Sequence, residues 1–177
     1  MASIRFRFSP RKALAALQWM LKQRETLDLH TILKACYFAD KSHLNKHGRP
    51  IFGATYRAMK FGPVPLEIYE MTKGEALWLA ELGLDNYPWE LRGFYLRSIT
   101  NEDANLDVLS ETDLEELKRA FAYSRTLTFT ERTKATHGRD WQLANLGVMS
   151  YEDMIDESPK KLDLVALLQA TGAHMKL

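Results

Sequence analysis

One cysteine, Cys36, stands among 177 residues, so an internal disulfide is impossible and a reducing compartment is the expectation. No stretch approaches the roughly 20 apolar residues that a membrane-spanning helix needs. Met1 to Arg11 alternates Arg with Phe where a signal peptide would carry an apolar core. A soluble cytoplasmic protein is therefore expected, with no membrane partner. Internal repeats, low-complexity tracts and linkers are also missing, which assigns residues 1–177 to one domain. The chain contains no glycine-rich phosphate loop, nucleophile elbow or kinase signature. From chemistry alone no reaction and no cofactor is named.

What is present is an ordinary globular composition, 46% apolar and 27% charged. A chain of this size buries about 70% of its extended surface on folding, enough for a core without disulfides or metals. The net charge of +1 conceals a split. Residues 1–60 hold twelve Lys/Arg against three Asp/Glu, whereas residues 61–177 hold twelve against twenty. Such a split fits an anionic partner, an acidic protein partner, or two halves that attract each other within one domain.

Punctuation and periodicity predict a mostly α fold, a bundle of about seven helices with a small two-stranded antiparallel ribbon. Ser9-Pro10 opens a helix to about residue 23, the serine hydroxyl as cap and the proline at the first helical position. Asp28 caps the next helix, Leu27 and Ile32 form its hydrophobic staple, and Gly48 with Pro50 ends it. Its stripe runs through Leu29, Ile32, Leu33, Cys36 and Ala39 or Asp40, continued by His43 and His47. Gly53 to Phe61 alternates with period two and reads as a strand, which Gly62-Pro63-Val64-Pro65 ends and turns. Pro65 then opens a short helix through Thr72, and residues 75–83 form another. Phe94 to Ile99 reads as a second strand. Ser110 to Asp113 is a capping box for a helix to about Ser124, and a shorter helix spans about 129–136. Ser150 to Asp153 repeats the capping signal, and residues 160–171 form a last amphipathic helix, packed on the rest and closed by Gly172.

Few residues invite chemistry. His43 and His47 share a helix face, but Leu44 follows His43 where a metalloprotease helix needs its general base. A third ligand would have to come from Asp40 or His137, and no metal site is assigned. Cys36 lies in an apolar stripe and reads as core. The segment Arg5 to Lys12 interleaves Arg5, Arg7, Arg11 and Lys12 with Phe6 and Phe8. It reads either as a nucleic-acid grip by phosphate contact and stacking or as an amphipathic strand with its phenylalanines inward.

Leu33 to Pro65 resembles the Panacea family, the SocA-like antitoxin domain. The matching elements are Tyr37-Phe38-Ala39-Asp40-Lys41, His43-Leu44, Gly48-Arg49-Pro50-Ile51, Tyr56-Arg57-Ala58 and Gly62-Pro63-Val64, followed by Ile68-Tyr69. A second block, Leu109 to Leu114 and then Thr136-His137 with Trp141, extends the likeness across residues 10–145. Many relatives carry Ser where this chain has Thr136, and a bulky aliphatic where it has Cys36. Some are fused to a helix-turn-helix, and no such segment is seen here. The resemblance implies a non-enzymatic antitoxin of a two-gene system that neutralises a cognate toxin protein by direct binding. At least one relative instead delivers its toxin to a protease as an adaptor. Residues expected to meet the partner are Tyr56, Lys60, Phe61, Pro63, Val64, Tyr69, His137 and Trp141. The alternative is a nucleic-acid-binding regulator that uses Arg5, Arg7, Arg11 and Lys12.

Overall fold

The protein is described by a computed structural model covering residues 2–177. Nine α-helices occur among the described residues: α1 Pro10–Gln23, α2 Leu29–His47, α3 Leu66–Thr72, α4 Ala76–Leu82, α5 Glu111–Thr126, α6 Phe129–Thr136, α7 Arg139–Ala144, α8 Tyr151–Met154 and α9 Lys161–Thr171. Five short strands accompany them: β1 Thr26–Asp28, β2 Tyr56–Met59, β3 Gly62–Pro65, β4 Trp89–Arg92 and β5 Tyr95–Ser98. The fold is mostly α with minor antiparallel β, and among the described residues no helix is long and apolar enough to cross a membrane.

Helix α2 is the axis of the structure. Its start follows the sequence closely: Asp28 accepts from Thr31 N at 2.9 Å, and Gly48 takes a left-handed φ of +74° at the other end. It is buried on nearly every side rather than along one stripe, because two apolar clusters share it. The first joins α1, α2 and α5 to the sheet residues Leu27, Trp89 and Leu96. The second gathers Tyr37 and Leu44 of α2 with Tyr56, Met149, Tyr151, Met154 and Leu168. Cys36 is fully buried in the first cluster, and burial pushes its thiol far up.

Helix α5 packs along α2 and opens with a complete capping box. Ser110 Oγ accepts from Asp113 N at 3.1 Å, and Asp113 returns a bond to Ser110 N at 3.0 Å. Ser110→Ala removes one half of that exchange and should cost about 1 kcal/mol, read as the shift in a urea midpoint at constant m. Ser9 behaves differently: its hydroxyl makes no cap bond, while its backbone N–H donates to Phe52 O at 2.9 Å.

Several expectations are corrected. The helices number nine because α7 and α8, of six and four residues, are too short to show a period. The strands at Gly53–Phe61 and Phe94–Ile99 do not form one ribbon. Strand β2 pairs with β3, and β5 lies between β1 and β4 in a separate three-stranded sheet. Gly62 to Pro65 is thus a strand, not the end of one. Its prolines stand opposite Ala58 and Tyr56. Those two residues turn their backbone groups the other way, to Gly147 O at 2.9 Å and Met149 N at 2.8 Å. Pro63 and Pro65 therefore sit where β2 asks for no N–H. Helix α9 buries only Leu168 fully and exposes Leu162 and Leu167 on its other sides, so it is less amphipathic than expected. Gly172 closes it as expected, as the C-cap after Thr171, but with a right-handed φ of −55° that leads into a short 3-10 turn; a Cβ there would press on the Arg5 carbonyl.

Candidate functional site

Most residues shared with the family pattern are spent on holding the β2–β3 hairpin and the turn before it. Asp40, fully buried, accepts from Ile51 N at 2.7 Å, Phe52 N at 2.9 Å and the Tyr56 hydroxyl at 2.9 Å. Burial raises its carboxyl to about 7 against the lowering effect of those bonds. Tyr37 donates its hydroxyl to Asp140, which Lys41 also approaches at 3.1 Å. His43 satisfies both ring nitrogens internally, Nδ1 with Arg49 O at 2.7 Å and Nε2 with Thr112 Oγ1 at 2.9 Å. No group of three metal-ligating side chains forms among the described residues.

Four further contacts fix the hairpin. Trp141 Nε1 donates to Met59 O at 2.9 Å, and the His137 ring stacks on Trp141 with centroids 3.8 Å apart. Lys34 Nζ donates to Pro63 O at 2.7 Å. His30 closes the turn. Arg132 Nη1 can only donate, so His30 Nδ1 accepts from it at 2.9 Å, leaving Nε2–H to donate to Phe61 O at 3.1 Å. Burial, then the Lys34 charge, lowers His30 to about 4, which keeps the ring neutral as this pattern requires.

Beside the fixed hairpin opens a groove of about 820 Å³. Leu29, Leu33 and Val64 lie along it, and Met59, Phe61, Phe94, Phe129 and Leu146 stand around its margin. Phe94 is 80% exposed at the tip of the β4–β5 hairpin, and Phe61 and Phe129 are each 48% exposed and packed edge to face at 5.1 Å. Leu146 holds a left-handed φ of +63° after Asn145 at +46°, and it is 58% exposed. A leucine in that conformation is strained, and the strain displays its side chain at the groove.

The structure separates the expected partner-contact residues into two groups. Lys60, Phe61, Val64 and Tyr69 line the groove. Tyr56 and Pro63 are buried within the hairpin's own strands, and His137 with Trp141 supports it through Met59. In the basic segment Arg5, Arg7 and Arg11 are exposed, but Lys12 is buried in an ion pair with Asp113 at 2.6 Å. Phe6 and Phe8 turn inward onto Tyr151 and Trp78, so the strand-like reading of this segment describes its burial. Lys12 is thereby removed from the candidate nucleic-acid contacts, because Asp113 claims its ammonium. The groove residues that sequence reasoning missed include Arg57, Met59, Phe94, Phe129, Leu146 and the floor of α2. The only local signals were Gly93 before Phe94 and the Thr128 cap before Phe129.

Residues 32–142, the span containing most of α2, the hairpin and Trp141, match the family described as antitoxin SocA-like, Panacea domain. The chain belongs to that family. No curated protein and no solved structure matches it. Within the Panacea domain of this chain, then, the motif residues Tyr37, Asp40, His43, Gly62 and Thr136 are internal, and the exposed apolar surface is supplied by their neighbours.

Proposed function

We propose that this chain is the antitoxin of a two-gene toxin–antitoxin system and neutralises its cognate toxin protein by direct, non-catalytic binding through the groove beside the β2–β3 hairpin. The observation that carries the reading is the ring of exposed apolar side chains, Met59, Phe61, Phe94, Phe129 and Leu146, held on a rigid support. Contiguous exposed apolar surface marks interaction sites in proteins of this kind, and aromatic residues dominate binding energies. Two prolines in β3 and the His30, Lys34 and Trp141 bonds leave the hairpin little entropy to lose when a partner docks. The family supports the antitoxin role; the toxin-binding surface is our reading.

Co-expression with the product of the adjacent gene is the test. Rescue of growth together with co-purification is expected. Phe61→Ala/Phe129→Ala should weaken the complex by about 30-fold, which corresponds to roughly 2 kcal/mol. Wild-type affinity in that variant would move the interface elsewhere. Rescue without a stable complex would favour the adaptor mode, in which the toxin is passed to a protease. A regulator reading rests on exposed Arg5, Arg7 and Arg11 alone; binding of the chain's own promoter that is flat at low salt removes it.

A further inference from the structure

The groove carries charge of one sign. Lys34 lies on its floor and Arg57 and Lys60 lie on its rim, with no Asp or Glu among the described lining residues. Lys34 is the exception among the buried cations. Lys12 pairs with Asp113 at 2.6 Å and Arg132 reaches Asp28 at 3.9 Å, whereas Lys34 meets only the Pro63 carbonyl. An ammonium has three N–H donors, and burying one without a counter-ion is costly. A buried titratable group with an incomplete set of partners, sitting in a cleft, is a candidate for completion by a ligand.

We propose that the groove receives an apolar segment of the partner protein that carries a carboxylate side chain, which pairs with Lys34 while Arg57 and Lys60 flank it. This deepens the toxin-binding reading and rests on it. Charge complementarity selects this occupant: an apolar lining asks for apolar side chains, and three basic groups without an acid ask for an anion. Non-acidic apolar segments would leave Lys34 buried against them unpaired, and basic ones would be repelled.

The pairing has a proton signature. Burial and the Arg132 charge bring Lys34 down to about 7. The groups that face it are His30 on its own helix, Arg132 from α6, Arg57 from β2, Lys60 in the hairpin turn and Asp28 at the start of α2. His30, lowered to about 4, is neutral at pH 8, and Lys34, lowered to about 7, gains a proton there when a carboxylate arrives.

The test is calorimetry of the complex with the adjacent gene's product at pH 8, in two buffers of different ionisation enthalpy. Wild type is compared with R57E/K60E, K34M, F61A/F129A and K118E, the last an exposed α5 cation outside the groove. We expect R57E/K60E to bind at least about tenfold more weakly, with the loss shrinking at high salt, and K118E to match wild type. Proton uptake is expected in wild type and absent in K34M. Arg57 and Lys60 are exposed, so their variant tests the idea even if K34M unfolds. Weak binding by F61A/F129A with wild-type affinity in R57E/K60E and no proton uptake overturns the carboxylate and leaves the groove reading standing. Wild-type affinity in F61A/F129A removes the groove reading, and this inference with it.

Discussion

Gly62→Ala destabilises the fold by about 3–5 kcal/mol, a fall in Tm on the order of 10 °C for a chain of this length. Two independent effects add at this position. Its φ of +106° is open to glycine and strained for any residue with a Cβ. The new methyl would also lie within contact distance of Thr136 Oγ1 and 2.9 Å from Lys34 Cε. Thr136 cannot yield easily, since it is buried and its hydroxyl is engaged with Arg132 O at 3.0 Å. The shift should appear in thermal unfolding and be only partly relieved by adding Thr136→Ser, which retains the hydroxyl but removes a methyl. A Tm within 2 °C of wild type would show that the hairpin tolerates a different turn.

Asp40→Ala should cost about 3–5 kcal/mol, because it strands two buried backbone N–H groups and takes the acceptor from the Tyr56 hydroxyl. Asp40→Asn is expected to lose far less. Its side-chain carbonyl can still accept from Ile51 and Phe52, and Tyr56 can turn its proton to Cys36 O, 3.3 Å away. The pair also carries a pH dependence. Asp40 is raised to about 7 in the folded state, so the protonated carboxyl contributes stability in full below the unfolded value near 4. That contribution is lost as pH rises through about 7. Wild type should therefore lose stability relative to Asp40→Asn between pH 5 and pH 8, measured as paired urea midpoints. A difference that is constant across this range would mean that the three hydrogen bonds keep Asp40 ionised throughout.

These two positions show why the family motif was readable while its use was not. Asp40 and Gly62 are recognisable in a linear pattern, but neither is a contact residue. Asp40 reaches forward to the amides of Ile51 and Phe52, and Gly62 makes room for Thr136 and Lys34, one from a helix far along the chain. Lys60, Phe61 and Tyr69 are legible as candidates beside the turn because turn position and residue type are local properties, whereas Val64 is buried in the core even though it lies along the groove. Phe94, Phe129 and Leu146 are not legible, since three separate segments bring them to the same groove. Lys12 stands among the alternative nucleic-acid contacts in the sequence for the same reason: its counter-ion, Asp113, lies in α5, and nothing near Lys12 in sequence announces it.

By itself the sequence determined the family, the mostly α class, and the helices with a start or stop signal in their own residues. Asp28, Ser110 and Gly48 do their work within a few bonds of where they stand, so their consequences are local. The tertiary structure alone decided how the strands pair, which prolines lie inside a strand, and where the groove opens. Strand partners, buried ion pairs and exposed apolar patches are set by which distant segments close on one another, and the missing N–H of Pro63 or Pro65 matters only on the side where a partner would seek it.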